Sequence, residues 1–333
     1  MMRGITHYIY LLCANRKGTL APEEVKHILV CRPNSRLGNQ LLITPLIQEL
    51  SDTFPNAGID LFVRGNLASI LFERYDCVNR IIKLPPKPFK ELGKYIGVWL
   101  SLRKEKYDIS FDVASASSSG RLSACFARAR FKFPSNPTEA AELSETHHAK
   151  QPVYTLRKVL LPLGIPDKGK PVPEMDIKLS PSELSDGKKV LDGIAPRPEK
   201  ETICIYTYAT GGKCYPKAWW EEVYGRLTAN YEEKYNIIEI LPKENVSQID
   251  FRAPTWYSLD IREMAAVIAN AKAFISADCG VMHLASAAHT PTVGLFSRAN
   301  IESYRPYNKG SIAIDTRKAG FDEIMDMLGS VLA

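Results

Sequence analysis

Residues 271–297 read AKAFISADCGVMHLASAAHTPTVGLFS and compress a strand, a turn, a helix and a second strand into one short segment. Residues 273–277 are apolar enough for a buried strand, and Asp278, Cys279 and Gly280 break the run. Residues 282–288 are small, apolar and helical in character, Pro291 ends the helix, and residues 292–296 form a second buried strand. Two buried strands joined through a helix must lie parallel, in a sheet with helices on its faces.

The turn between strand and helix is where chemistry can sit. A helix N-terminus presents unpaired N–H groups and a partial positive charge, which suit a phosphate. Gly280 lets a ligand approach the backbone. His283, in the first turn, can donate to a phosphate oxygen. Asp278 can cap the helix or accept from a sugar hydroxyl. The segment alone leaves a second reading open, a capping Asp with a half-buried His and no ligand. Open α/β sheets nevertheless bind ligands at strand carboxyl ends.

The 333 residues fit two domains. The hydrophobic share of 45% and charged share of 24% are those of an ordinary soluble globular protein. A net charge of +6 suits an acidic small substrate or an anionic membrane surface and argues against a nucleic-acid partner. The seven cysteines are scattered without a C-x-x-C pair, which predicts small core residues in a reducing compartment, with neither a zinc site nor a disulfide framework. The apolar run at residues 5–14 is too short for a secretory signal and lacks its cleavage site. It is expected to belong to an extra N-terminal segment, residues 1–26, that packs on the domain or touches a membrane. No stretch approaches the roughly 20 apolar residues that span a bilayer.

Two halves follow. Strands are expected at residues 27–31, 59–63, 80–84 and 109–113, with a helix from Gly38 whose apolar face is Leu42, Ile43, Leu46, Ile47 and Leu50. A further helix over 89–105 carries Leu92, Ile96, Trp99, Leu100 and Leu102. This alternation is doubly wound. Residues 164–174 (GIPDKGKPVPE) read as a linker, which sets domains at 1–168 and 169–333. Ser180, Pro181 and Glu183 form a capping box with Pro at the first helical position. Strands at 202–206 and 237–241 precede the βαβ unit, which closes the second half. Two such halves facing each other create a cleft lined by the first turn of each, RPNSRLGNQ and TYATGGKCYP. Neither contains G-x-G-x-x-G or a Walker A lysine, which counts against an NAD enzyme and a P-loop NTPase. The second turn places Thr210, two glycines and Lys213 beside the phosphate turn. A fixed lysine there stabilises a departing diphosphate; a solvated loop lysine is the alternative.

These stretches resemble glycosyltransferase family 9, the bacterial lipopolysaccharide heptosyltransferases, over residues 27–307. Three motifs carry the resemblance. The family's strand, loop ending in Leu/Met-Gly-Asp and Pro-containing helix match HILVCRPNSRLGNQLLITPLIQEL. Its Lys-x-Trp-Pro matches Lys213-Cys214-Tyr215-Pro216, and its Asp-(Ser/Thr)-Gly-x-x-His matches residues 278–283. His148 and residues 153–165 resemble the family's segment before the hinge. The resemblance implies a GT-B fold of two Rossmann-like domains facing a central cleft. It also implies an inverting enzyme without metal or cofactor that moves heptose from ADP-heptose to a lipid A–core acceptor. The site is then cytoplasmic, peripheral on the inner face of the inner membrane. Lys213 is expected to steady the diphosphate. Thr210, Asp278, Cys279, Gly280 and His283 hold the donor, with Glu244 matching a family Glu near the ribose.

Two departures stand out. The family's Gly-Asp, whose Asp is the proposed base, is Gly38-Asn39 here. General-base assistance is worth roughly 10²–10⁴-fold, and Asn cannot supply it. Asp112 at a strand end is a substitute candidate; positioning and leaving-group stabilisation, or binding without turnover, are the other readings. Arg36 and Gly38, with Arg32, Arg64 and Arg121, are the acceptor-side candidates for an anionic glycolipid. Cys279 stands where the family has Ser or Thr, so a hydroxyl contact to the donor is lost. Rival readings are transfer from another nucleotide sugar to a different surface polymer, a non-catalytic nucleotide-sugar binder, and an epimerase of the same architecture. The motif Leu-Gly-Asn-Gln also occurs in fucosyltransferases, but the Lys213 and His283 motifs do not follow that family.

Overall fold

A computed structural model describes residues 13, 18–86, 90–113, 118–136, 143 and 145–333. The chain divides into two compact units, Met1–Pro173 and Glu174–Ala333. The apolar run 5–14 lies outside the described residues apart from Cys13.

The first unit alternates β1 (His27–Arg32), α1 (Leu37–Leu41), α2 (Thr44–Thr53), β2 (Gly58–Arg64), α3 (Leu67–Leu71), β3 (Val78–Leu84), α4 (Leu92–Ser101), β4 (Tyr107–Asp112), α5 (Ser118–Phe126), β5 (Ala129–Phe133) and α6 (Gln151–Leu160). The sheet is wholly parallel in the order β3-β2-β1-β4-β5. Its register sets Arg32 opposite Val63, and Cys31 opposite Asp112, so the turns after β1 and β4 leave one edge together. The single helix expected from Gly38 is broken into α1 and α2. Pro45 sits in the first turn of α2 and has no N–H to extend α1. The apolar face continues across the break, with Leu42, Ile43, Leu46, Ile47 and Leu50 all buried.

Helix α4 is shorter than expected, and its apolar residues divide between two faces. Tyr95, Val98 and Trp99 pack on a core made by Leu29, Phe62, Leu84, Leu102 and Ala124. The Trp99 ring meets Phe62 edge-on at 5.5 Å and Phe126 at 6.0 Å. Leu92, Ile96 and Leu100 face solvent.

The second unit contains α7 (Pro181–Ile194), β6 (Thr202–Tyr206), α8 (Lys217–Tyr231), β7 (Asn236–Ile240), β8 (Thr255–Trp256), α9 (Ile261–Ala269), β9 (Ala273–Ala277), α10 (Gly280–Ala287), β10 (Thr292–Phe296), α11 (Ile301–Tyr304), β11 (Ile312–Asp315) and α12 (Phe321–Leu332). Its parallel sheet runs β11-β10-β9-β6-β7-β8. The βαβ unit is present, but β11 and α12 follow it and close the unit in its place. The apolar face of α12, with Ile324, Met325, Leu328 and Leu332, joins Trp220, Leu227 and Val293 in the core. Burying each such side chain is worth roughly 1.5–3 kcal/mol. The capping box at Ser180 forms in both directions, with Ser180 N donating to Glu183 Oε2 at 2.8 Å and Glu183 N to Ser180 Oγ at 3.2 Å. Gly294 lets α10 lie against β10, since a Cβ there would start 2.8 Å from Met282 Sδ.

One cysteine reading is corrected. Cys13 and Cys125, 112 positions apart, form a disulfide, while Cys31 and Cys204 are buried free thiols. Cysteine scatter therefore carries no argument for a reducing compartment. Among the described residues no helix is long and apolar enough to cross a membrane.

Candidate functional site

A doubly wound sheet opens a polar crevice where strand addition reverses direction. In the second unit this point lies between β6 and β9, which are neighbours although β7 and β8 intervene in sequence. The turns after these two strands bring Lys213 Nζ to 2.6 Å from Asp278 Oδ2. Asp278 is 6% exposed in its side chain and Lys213 31%. A carboxylate so buried persists only when paired and hydrogen-bonded. Asn300 Nδ2, from the turn after β10, donates to the same oxygen at 3.2 Å. Lys213 Nζ also lies 5.5 Å from the centre of the Tyr304 ring, whose π face attracts cations. The buried His283 ring is 6.2 Å from that ring.

The lysine is held by its own turn. Residues Gly211–Lys213 form a single 3-10 turn with Thr210 exposed at its N-cap. Tyr215 stacks on Trp219 with ring centres 4.0 Å apart, and its hydroxyl is 2.7 Å from Thr316 Oγ1. Burial pushes that phenol up to about 12, with the Thr316 hydrogen bond pulling the other way. Beneath the turn, Thr207 Oγ1 donates to Glu239 Oε1 at 2.5 Å and accepts from Gln248 N at 3.0 Å. Burial raises the Glu239 carboxyl above its ordinary range, while the hydroxyls of Thr207 and Ser247 oppose the shift.

Gly280 opens α10, and Cys279 is its N-cap with extended backbone and no side-chain capping bond. Burial pushes the Cys279 thiol up to about 11, against the pull of the nearby Met282 and Val281 N–H groups. It is a neutral thiol at physiological pH. Glu244 is exposed in the turn after β7 and acts electrostatically on Tyr206, whose phenol burial raises first. Arg298, from the turn after β10, reaches the lysine turn, since a Cβ on Gly212 would start 2.6 Å from Arg298 Nη2. The structure thus brings together Lys213, Asp278, Cys279, Gly280 and His283, and adds Arg298, Asn300 and Tyr304. These three were missed because no motif marks them. The signal available was their place in the next turn along the same sheet edge. Two cations and a helix N-terminus around one carboxylate make a locally positive pocket edge, suited to a diphosphate.

The first unit's reversal point lies between β1 and β4. Asn39 is part-buried on the five-residue α1, after buried Gly38. Arg36 is exposed at the N-cap, and its backbone N–H donates to Asn34 Oδ1 at 2.8 Å. Gln40 is fully buried and pins the turn by donating to Asn34 O at 2.8 Å. Asp112 is 3% exposed, and its Oδ2 accepts from Ser135 Oγ at 2.6 Å and Ser135 N at 3.3 Å. A Cβ at Gly120 would start 2.2 Å from Asp112 Oδ1, so glycine lets the first turn of α5 lie against this carboxylate. Arg32 and Arg64 are part-buried, whereas Arg121 turns inward, donating from Nε to Ser135 O at 3.0 Å. Arg121 is therefore a buried structural cation rather than an exposed acceptor contact. His148 Nδ1 is 3.1 Å from Gln151 Oε1. Burial lowers its pKa, Gln151 opposes, and the Arg32 charge lowers it further, which places His148 within electrostatic reach of the β1 turn. Among the described residues no group of three His, Cys, Asp or Glu is arranged to hold a metal.

A family model described as glycosyltransferase family 9 (heptosyltransferase) matches residues 96–320. A family 9 glycosyltransferase structure from Veillonella parvula is 15% identical, with a TM-score of 0.74, covering 94% of this chain and 99% of that one. The structure of E. coli heptosyltransferase WaaC with ADP is 16% identical, with a TM-score of 0.66, covering 92% and 99%. The structure of E. coli ADP-heptose lps heptosyltransferase II is 17% identical, with a TM-score of 0.63, covering 92% and 98%. No curated protein sequence matches the chain.

Proposed function

The chain belongs to glycosyltransferase family 9 and is a glycosyltransferase, and from that premise we propose that it moves a heptose, or a closely related sugar, from an ADP-sugar to a lipopolysaccharide-core or other lipid-linked acceptor, without metal and with inversion. The observation that carries the reading is the Lys213–Asp278 pair at the head of α10. In this reading the donor diphosphate lies on the N–H groups of α10, and Lys213 and Arg298 take up the charge that grows on it as the glycosidic bond breaks. Asp278, braced by Asn300, holds the lysine, and both residues offer acceptors to the sugar. Thr210, Cys279, Gly280 and His283 line the donor, and Glu244 meets the ribose. The locally positive edge supplies without a metal the charge neutralisation that a divalent ion supplies elsewhere.

On the first unit, Asn39 orients the acceptor hydroxyl, with Arg36 and the Gly38 backbone beside it. Asp112 holds Ser135 through Oδ2, so in this reading it shapes the turn. Transfer then draws on positioning and leaving-group stabilisation, and the acceptor proton leaves to solvent.

Incubation with ADP-heptose and a heptose-deficient core acceptor in chelator, followed by mass analysis, tests the proposal. The expected result is ADP together with a heptosylated acceptor. UDP- or GDP-sugars as the productive donors would move the function to another polymer. Asn39 in place of the family's Asp favours one further reading, a donor-binding homologue; tight ADP-heptose binding with no transfer to any acceptor would establish it.

A further inference from the structure

Helix α4 presents an apolar stripe that no described part of the chain covers. Leu92, Ile96 and Leu100 are 56%, 49% and 54% exposed. Their spacing of four places them on one face, beside the Tyr95, Val98 and Trp99 face that packs on the core. Water-exposed apolar stripes of this kind mark interaction sites.

The charge around the stripe is one-sided. Residues 83–106 carry seven basic and two acidic side chains, a net +5 in a chain whose total is +6. Both acids are engaged, Glu91 with Lys94 at 3.1 Å and Glu105 with Arg80 at 3.2 Å. Lys83, Lys90, Arg103, Lys104 and Lys106 are exposed around the helix. We propose that α4 is a membrane-docking element that lays Leu92, Ile96 and Leu100 into the headgroup boundary of an anionic phospholipid bilayer, with the surrounding lysines and arginine on lipid phosphates. A large apolar face ringed by Lys and Arg is the pattern of an interfacial helix, and anionic lipid adds an attraction for each nearby cation. A second copy of the chain would bring +5 against +5, so charge selects lipid over self-association. The loop before α4 leaves the carboxyl end of β3, the same sheet edge as the turns of Asn39 and Asp112, because the register aligns Leu84 with Arg64, Val63 with Arg32, and Cys31 with Asp112. Docking there brings the bilayer to the acceptor-side edge. The proposal extends the lipid-linked acceptor reading, but its test contains neither donor nor acceptor and is decided apart from it.

The full chain is sedimented with vesicles of phosphatidylcholine alone or mixed with phosphatidylglycerol, at low and high salt. The wild type is expected to favour anionic vesicles by roughly tenfold or more and to be weakened by salt. Leu92→Ser/Ile96→Ser/Leu100→Ser is expected to lose roughly tenfold or more with its thermal melt retained. Lys90→Glu/Lys104→Glu, at exposed positions that do not touch the core, is expected to lose the anionic preference. Equal binding by wild type and both variants overturns the proposal. So does light scattering that finds a wild-type dimer made monomeric by the serine substitutions, since the stripe would then belong to a second copy.

Discussion

Each unit carries a reversal point where two βα turns leave a parallel sheet side by side, and the two are furnished differently. On the second unit a lysine and a carboxylate meet at 2.6 Å, and Arg298, Asn300 and Tyr304 surround them. On the first unit the turn after β1 carries the neutral amide Asn39, and the carboxylate at the end of β4, Asp112, is tied to Ser135. The same architecture thus keeps a charged turn in one unit and a neutral turn in the other. The first can bind and polarise a diphosphate; the second can orient a hydroxyl but has no free carboxylate among its described residues at the turn to take its proton. Diphosphate departure and acceptor deprotonation are separable demands, and under the proposed function the difference assigns this chain's catalytic investment to the first.

Lys213→Ala breaks the comparison most directly. Turnover is expected to fall about 10²–10³-fold, with a smaller change in acceptor KM, measured by steady-state ADP release. A fall below threefold would make the lysine a surface charge. Asn39→Asp sharpens it from the other side. If the first turn lacks only a base, the rate rises about tenfold or more and gains a dependence on a carboxylate ionisation in its pH profile; an unchanged rate would show that deprotonation does not limit transfer. Ser135→Ala separates structure from chemistry at Asp112. Removing one hydrogen-bond donor from this buried carboxylate is expected to cost about 1–3 kcal/mol in urea unfolding and leave nucleotide binding unchanged.

The smallest effect concerns the rear of α10. His289 follows α10 in left-handed backbone (φ 61), with Nδ1 3.4 Å from Glu174 and Nε2 3.5 Å from Asp176. The Asp176 hydrogen bond raises its pKa above the ordinary 6.5, burial opposes, and Glu174 adds to the rise. A raised folded-state pKa contributes stability that is full below about pH 6.5 and lost as pH rises through the raised value. With the imidazole half exposed, the contribution is about 0.5 kcal/mol. His289→Asn, which tolerates the same backbone, is expected to flatten that part of the pH–stability curve. A variant curve parallel to the wild type would remove the ion pair from the account.

The apolar strands at 202–206, 273–277 and 292–296 were legible because buried parallel strands are continuous hydrophobic runs. The Lys213 and Asp278 turns were legible because glycine and charge interrupt those runs at strand ends. β5, ARFKF, escaped because an edge strand alternates basic and aromatic residues and needs no apolar run. β11 escaped because it is only four residues long and partly exposed. Arg298, Asn300 and Tyr304 converge through tertiary structure alone, as do Cys13 and Cys125 across 112 positions. The two-faced character of α4 was hidden because Leu92, Ile96 and Leu100 count as core candidates in any hydrophobic pattern, and only the packed sheet decides which face is covered.

The central claim, an intact diphosphate site on the second unit, is tested most directly by calorimetric titration of ADP, UDP, GDP and CMP in chelator, into the wild type and Lys213→Ala. The account predicts that ADP binds tightest and that the substitution weakens it about tenfold or more, in keeping with a charge-assisted contact to phosphate. Equal ADP affinity in both proteins, or no binding of any nucleotide, would contradict it.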